Sequence, residues 1–181
     1  MNASEFLLSV IAACGGVIRG RTMLQKKSFF VSLLSEVPIE LAYKAYFYGP
    51  YSAMVDGTLT QLKALGFVEE ATSGFGISGG FEMRRYDYTI TEDGKKILEA
   101  FLETKEYRSI EAAVLRIREA GDPDYMELSI AAKAFFILRR QEKEMSTSEL
   151  QREAEKFNWK IEPQSLTRAI DFLKHLGLAT S

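Results

Sequence analysis

Thiol and imidazole chemistry are nearly missing from this chain. Its 181 residues include one cysteine, Cys14, and one histidine, His175. A single thiol excludes an intramolecular disulfide framework and a cysteine-rich zinc site. It suits a reducing compartment, so a cytoplasmic location is expected. Cys14 falls in an apolar stripe, and a Cys–His nucleophile is not expected. The acidic residues fall on helical faces of mixed charge, with no pair at a recognisable catalytic spacing. No enzyme, cofactor or metal centre is therefore expected.

An excess of positive charge is also missing. There are 23 Lys and Arg against 25 Asp and Glu, a net charge of −2. The balance holds on both sides of residue 100, with 10 against 11 before it and 13 against 14 after it. Non-specific nucleic-acid binders are usually basic, because phosphate contacts supply most of their affinity. Any cationic surface must therefore be assembled locally by folding. Long apolar runs are absent too. Phe6–Cys14 is too short to span a bilayer and lacks a basic flank, so no membrane association is expected.

What is present reads mostly as helix. Ser4 is a candidate cap for a helix carrying Phe6, Leu7, Val10, Ile11 and Cys14, ended by Gly15-Gly16. A second helix begins near Arg21 or Thr22, carries Met23, Leu24, Phe30, Val31 and Leu34, and stops before Pro38. Ile39–Tyr48 alternates with many aromatics, which predicts a strand or extended segment. After Gly49-Pro50, a third helix is predicted with Tyr51, Met54, Val55, Thr58, Leu59, Leu62 and Leu65 on one face. Strands are predicted near 67–72 and 82–91. The glycine-rich stretch between them reads as a flexible loop. Thr91 caps a helix over Glu92–Leu102 that buries Ile97, Leu98 and Phe101. Beyond residue 105 all is helix. One stripe is Ile110, Ala113, Val114 and Ile117. Another starts at Asp122-Pro123, with Asp122 as cap and Tyr125, Leu128, Ala132, Phe135 and Leu138 inward. Ser146 to Glu149 has capping-box spacing, and Pro163 opens a last helix. Trp159 is expected at the corner between the last two helices.

The fold class expected is mainly α with a small β component. It is a winged helix-turn-helix over residues 1–104, with an additional helical unit over 105–181 that has the makings of a second helix-turn-helix. The segment Leu62-Lys-Ala-Leu-Gly-Phe-Val-Glu-Glu70, a loop, and Tyr86-Asp-Tyr-Thr-Ile-Thr-Glu-Asp-Gly94 resemble the wing region of winged-helix transcriptional regulators. A usual helix-turn-helix joins its helices by a 3–4-residue turn; here Ile39–Pro50 intervenes. That insert ends in Tyr46-Phe-Tyr-Gly-Pro-Tyr-Ser52 and is preceded by Leu24-Gln-Lys-Lys-Ser-Phe-Phe30. These two motifs resemble the YwgA-like proteins of bacteria and archaea and, more distantly, the Panacea domain of antitoxins related to SocA. The resemblance implies a prokaryotic protein of regulatory or antitoxin-like type.

Two kinds of surface follow as candidates. Arg84, Arg85, Arg19, Arg21, Lys26 and Lys27 are candidate contacts to the phosphates of double-stranded DNA, with Gln61 and Lys63 on the third helix beside them. That helix is a weak base reader by composition, because Arg, Lys, Asn and Gln are scarce at its start and Asp56 would repel phosphate. The alternative for the cations is a solvated rim. Tyr46, Tyr48 and Tyr51, with Tyr43, are candidate contacts to a protein partner, since tyrosine is enriched at interfaces; half-buried packing explains them equally. Gly74, Gly76, Gly79 and Gly80 precede a strand and lack the Lys-Ser/Thr of a phosphate loop, so a wing tip is the reading preferred. Function therefore divides between a DNA-binding regulator, with a homodimer matching two half-sites, and a protein-interaction module.

Overall fold

A computed structural model of the chain describes residues 1–78, 81–141 and 145–179, and within them all side chains except those of 75–83. Helix α1 (Ala3–Ala13) starts two residues earlier than Ser4 would allow as its cap. Asn2 caps it instead. Its side chain accepts the Glu5 N–H at 3.0 Å while the Glu5 carboxylate accepts the Asn2 N–H at 2.8 Å. Phe6, Leu7, Leu8, Val10 and Ile11 are all buried, so α1 is the central rod of the core. A short strand β1 (Val17–Arg19) leads through Gly20, at φ +99, into α2 (Arg21–Leu34).

The segment expected as a strand over 39–48 forms no strand. Lys44 and Tyr51 exchange two backbone hydrogen bonds, of 2.9 and 2.8 Å, and make an isolated bridge. The extended chain is held by side chains instead. Leu41 is buried, and the Tyr43 hydroxyl donates to the Gln25 carbonyl at 3.1 Å. Helix α3 (Ala53–Ala64) follows, capped by Ser52. Val55, Thr58, Leu59 and Leu62 form its buried face, whereas Met54 and Leu65 are exposed, contrary to the seven-residue stripe.

Strands β2 (Val68–Ser78) and β3 (Phe81–Ile90) form an antiparallel hairpin. β1 adds to its β3 side, with Ile18 opposite Tyr88, giving the order β1-β3-β2. The glycine stretch is therefore not a loop over 72–78. A glycine offers the same N–H and C=O to a ladder as any residue, and pairing continues with a register shift between Gly74 and Gly76. Gly79 and Gly80 lie outside the described residues.

Thr91 caps α4 (Glu92–Glu99), accepting from the Gly94 N–H at 3.1 Å and donating to the Gly66 carbonyl at 2.6 Å. This helix is shorter than expected. Leu98 is buried, but Ile97 is exposed and Phe101 lies past the helix end. At Gly94 a Cβ would stand 2.2 Å from the Phe67 carbonyl oxygen and 3.0 Å from Ile90 Cγ2. Alanine normally favours a helix by about 1 kcal/mol over glycine. Here Gly94→Ala is expected to destabilise, by about 1–3 kcal/mol, because backbone must move. Urea unfolding checks the sign, and a stabilised variant would contradict this packing.

The remaining elements are α5 (Lys105–Glu119), α6 (Tyr125–Gln141), α7 (Thr147–Glu155) and α8 (Pro163–His175). The Ser146 capping box forms as read. Asp122 does not cap α6. Asp124 does, accepting the N–H groups of Met126 and Glu127 at 2.8 and 2.9 Å, which leaves Asp122 to bind Lys27. Tyr125 is exposed rather than core-facing. The buried side chains of α1, α2, α5, α6 and α8 belong to one hydrophobic cluster. Edge-on ring contacts from Phe29 to Phe135 (6.0 Å) and from Phe30 to Phe172 (5.5 Å) join α2 to α6 and α8. The architecture is mainly helical with a small three-stranded antiparallel sheet. Among the described residues, no helix is long and apolar enough to cross a membrane.

Candidate functional site

The eight candidate phosphate contacts separate by where the backbone carries them. Arg19 ends β1, Arg21 opens α2, and Arg84 and Arg85 lie on β3. β1 pairs with β3, and Gly20 turns the chain at that edge, its N–H bonding the Tyr86 carbonyl at 3.0 Å. This local geometry brings the four arginines around one open cavity of about 420 Å³. Arg21 also meets Asp56 of α3 at 2.7 Å, and Arg85 binds Asp87 at 2.7 and 3.2 Å. Gln61 is exposed on α3, and Lys63 pairs with Glu70 at 2.8 Å; neither lines this cavity.

Lys26 and Lys27 do not belong to that surface. Both are buried, Lys26 to 2% exposure, because α2 is covered on every side over residues 24–31. Lys27 pairs with Asp122 at 3.0 Å. Lys26 donates to the Pro50 carbonyl at 2.6 Å, and beside it the Gln25 amide clamps the Ser52 backbone with bonds of 2.9 and 3.0 Å. The two motifs picked out in the sequence therefore meet. The polar residues of α2 serve as backbone partners for the Tyr-Gly-Pro turn.

That turn is held from two more sides. Gly49, at φ +91, sits so close to α6 that a Cβ would lie 2.9 Å from Lys133 Cγ. The Trp159 indole N–H donates to the Tyr46 carbonyl at 2.7 Å. The consequence is an outward display of rings. Tyr46, Phe47 and Tyr48 are 54%, 75% and 69% exposed, with Tyr51 half-buried 5.3 Å from the Tyr46 ring. Phe47 is not among the sequence candidates, because a lone Phe lacks the polar handle that marks tyrosine as an interface residue. Tyr86 and Tyr125, which line the arginine cavity, are not among the sequence candidates: Tyr125 falls on an apolar helical stripe, and Tyr86 stands within the wing-like segment with no signal of its own. Tyr43, by contrast, turns inward, and burial pushes its hydroxyl well up.

Burial, with Lys133 nearby, pushes the Lys26 ammonium down to about 8, from about 10.5 when free. Between those values the unfolded chain holds more protons, so this group makes stability rise with pH. Its penalty is fully present below pH 8 and fades toward the unfolded value. Buried Tyr88 and the partly buried Tyr43 and Cys14 are pushed up and act in the opposite sense at higher pH. Comparison with Lys26→Met cancels them. Wild type is expected to gain roughly 2 kcal/mol on this variant between pH 7 and about 9.5, in urea unfolding. A pH-independent difference would contradict the assignment.

Burial also pushes the Cys14 thiol up, away from the thiolate. His175 approaches the Asp171 carbonyl at 2.8 Å on the exposed side of α8. Among the described residues, no three His, Cys, Asp or Glu gather where they could hold a metal ion. No protein-family model matches the chain, and no curated protein matches it.

Proposed function

We propose that the chain is a winged-helix regulatory protein of prokaryotic type that holds double-stranded DNA by its phosphate backbone. Residues 1–104 would form the winged-helix unit and 105–181 a helical addition. The order α1-β1-α2-α3-β2-β3 and the sheet order β1-β3-β2 support the fold reading. The observation that carries the function is the convergence of Arg19, Arg21, Arg84 and Arg85 from three elements beside the start of α3. Arginine forks match phosphate oxygens, and such contacts position a protein without reading sequence. The exposed face of α3, with Ala53, Gly57, Thr60, Gln61 and Ala64, offers Gln61 as its base-reading group. Discrimination between sequences is accordingly weak for one copy, and a homodimer across two half-sites would supply it.

Fluorescence anisotropy of wild type with two unrelated labelled duplexes over a salt series tests this. Binding at low salt is expected, nearly equal for both duplexes. The affinity should fall by about one logarithmic unit per phosphate contact for each tenfold rise in salt. Failure to bind at the lowest salt, with the fold intact, would overturn the reading. A protein-interaction module of antitoxin-like type would then stand in its place, favoured by the outward rings of Tyr46, Phe47 and Tyr48 on a rigidly held turn.

A further inference from the structure

The arginine cavity has features that a track for a duplex backbone does not require. It is concave, and about 420 Å³ is a volume in the range of small-ligand sites. Its wall includes two half-exposed tyrosines from different elements, Tyr86 on β3 and Tyr125 at the start of α6. Asp124, the acid among the described residues of its lining, is engaged in capping α6 through the N–H groups of Met126 and Glu127. Arg21 is ion-paired through Nη2 with Asp56, and its guanidinium carries other N–H donors in its fork. The first turn of α2, which Arg21, Thr22 and Met23 bring to the cavity, contains no carboxylate and so adds no opposing charge.

We infer that this cavity is a binding site for a nucleoside phosphate. Guanidiniums and flat phenol rings facing one space suit a ligand with an anionic end and a planar aromatic end. The phosphates are held by Arg19, Arg21 and Arg84, and the base stacks on Tyr125, with Tyr86 on the wall beside it. Stacking of a base on an aromatic side chain tolerates any base, so the ligand class is set by the combination and not by the base. The site shares its arginines with the proposed DNA surface without depending on that proposal. A bound nucleotide and a DNA backbone would compete, which makes the occupant an effector of DNA binding where both bind.

The test is isothermal titration of the full chain, at low salt, with the four nucleoside diphosphates ADP, GDP, CDP and UDP, beside adenosine and inorganic phosphate. At least one diphosphate is expected to bind at one per chain, more than tenfold tighter than either fragment. Tyr125→Ala and Arg19→Ala are each expected to weaken it about tenfold. Both positions are at the surface, and circular dichroism confirms that the variants fold. Three results would overturn the inference: no diphosphate binding, inorganic phosphate binding as tightly as the diphosphate, or both variants matching wild type. DNA binding in the anisotropy experiment without diphosphate binding removes this site and leaves the DNA reading. Diphosphate binding without DNA binding does the reverse.

Discussion

Trp159→Ala should cost about 3–5 kcal/mol of stability, among the largest losses available to a single substitution here. Trp159 is buried, stacked on Phe157 at 4.7 Å and edge-on to Phe136 at 6.1 Å. Removing it leaves a cavity beside Phe136 of α6 and Phe157 and strands the Tyr46 carbonyl without its donor. The second consequence reaches the surface, since Tyr46, Phe47 and Tyr48 lose one of the three anchors of their turn. Trp159→Phe should retain most of the stacking and lose the hydrogen bond, at about 1–2 kcal/mol. The chain has one tryptophan, so unfolding is followed by circular dichroism rather than fluorescence. A loss below about 1 kcal/mol for the alanine variant would show that this corner is not part of the cooperative core.

Trp159 also marks what was legible in the sequence. Its place at a helix corner follows from local pattern. Its bond to a residue 113 positions away does not, because nothing in spacing encodes a single long-range donor. The helices with strong periodicity and caps, such as the one opened by Ser146 and Glu149, were readable from local chemistry alone. The failures have physical causes. Asn2 outcompetes Ser4 because Glu5 completes the reciprocal box from Asn2 only. The glycine-rich strand lacks side-chain alternation, so its pairing with β3 is carried by backbone groups that periodicity does not see. Lys26 and Gln25 look like solvent-facing residues. They are buried because the Pro50 and Ser52 backbone needs donors and acceptors that apolar residues lack. The convergence of Arg19 and Arg21 with Arg84 and Arg85 depends on β1 pairing with β3, a contact between segments some seventy residues apart.

The arginines give the other large expected effect. Arg19→Glu/Arg84→Glu replaces two exposed cations with two carboxylates on the face assigned to phosphate. Each exchange removes an attraction and adds a repulsion of similar range. Affinity for duplex DNA is expected to fall about a hundredfold at low salt. It should fall alike for unrelated sequences, because phosphates carry no base identity. The variant should stay folded, since both positions are exposed, and circular dichroism checks this. Wild type and this double variant, titrated against one labelled duplex over the same salt series, test the central claim most directly. The expected result is a steep salt dependence for wild type and weak binding with a shallower salt dependence for the variant. Equal affinities and equal salt slopes for the two proteins would contradict the assignment of this face to DNA.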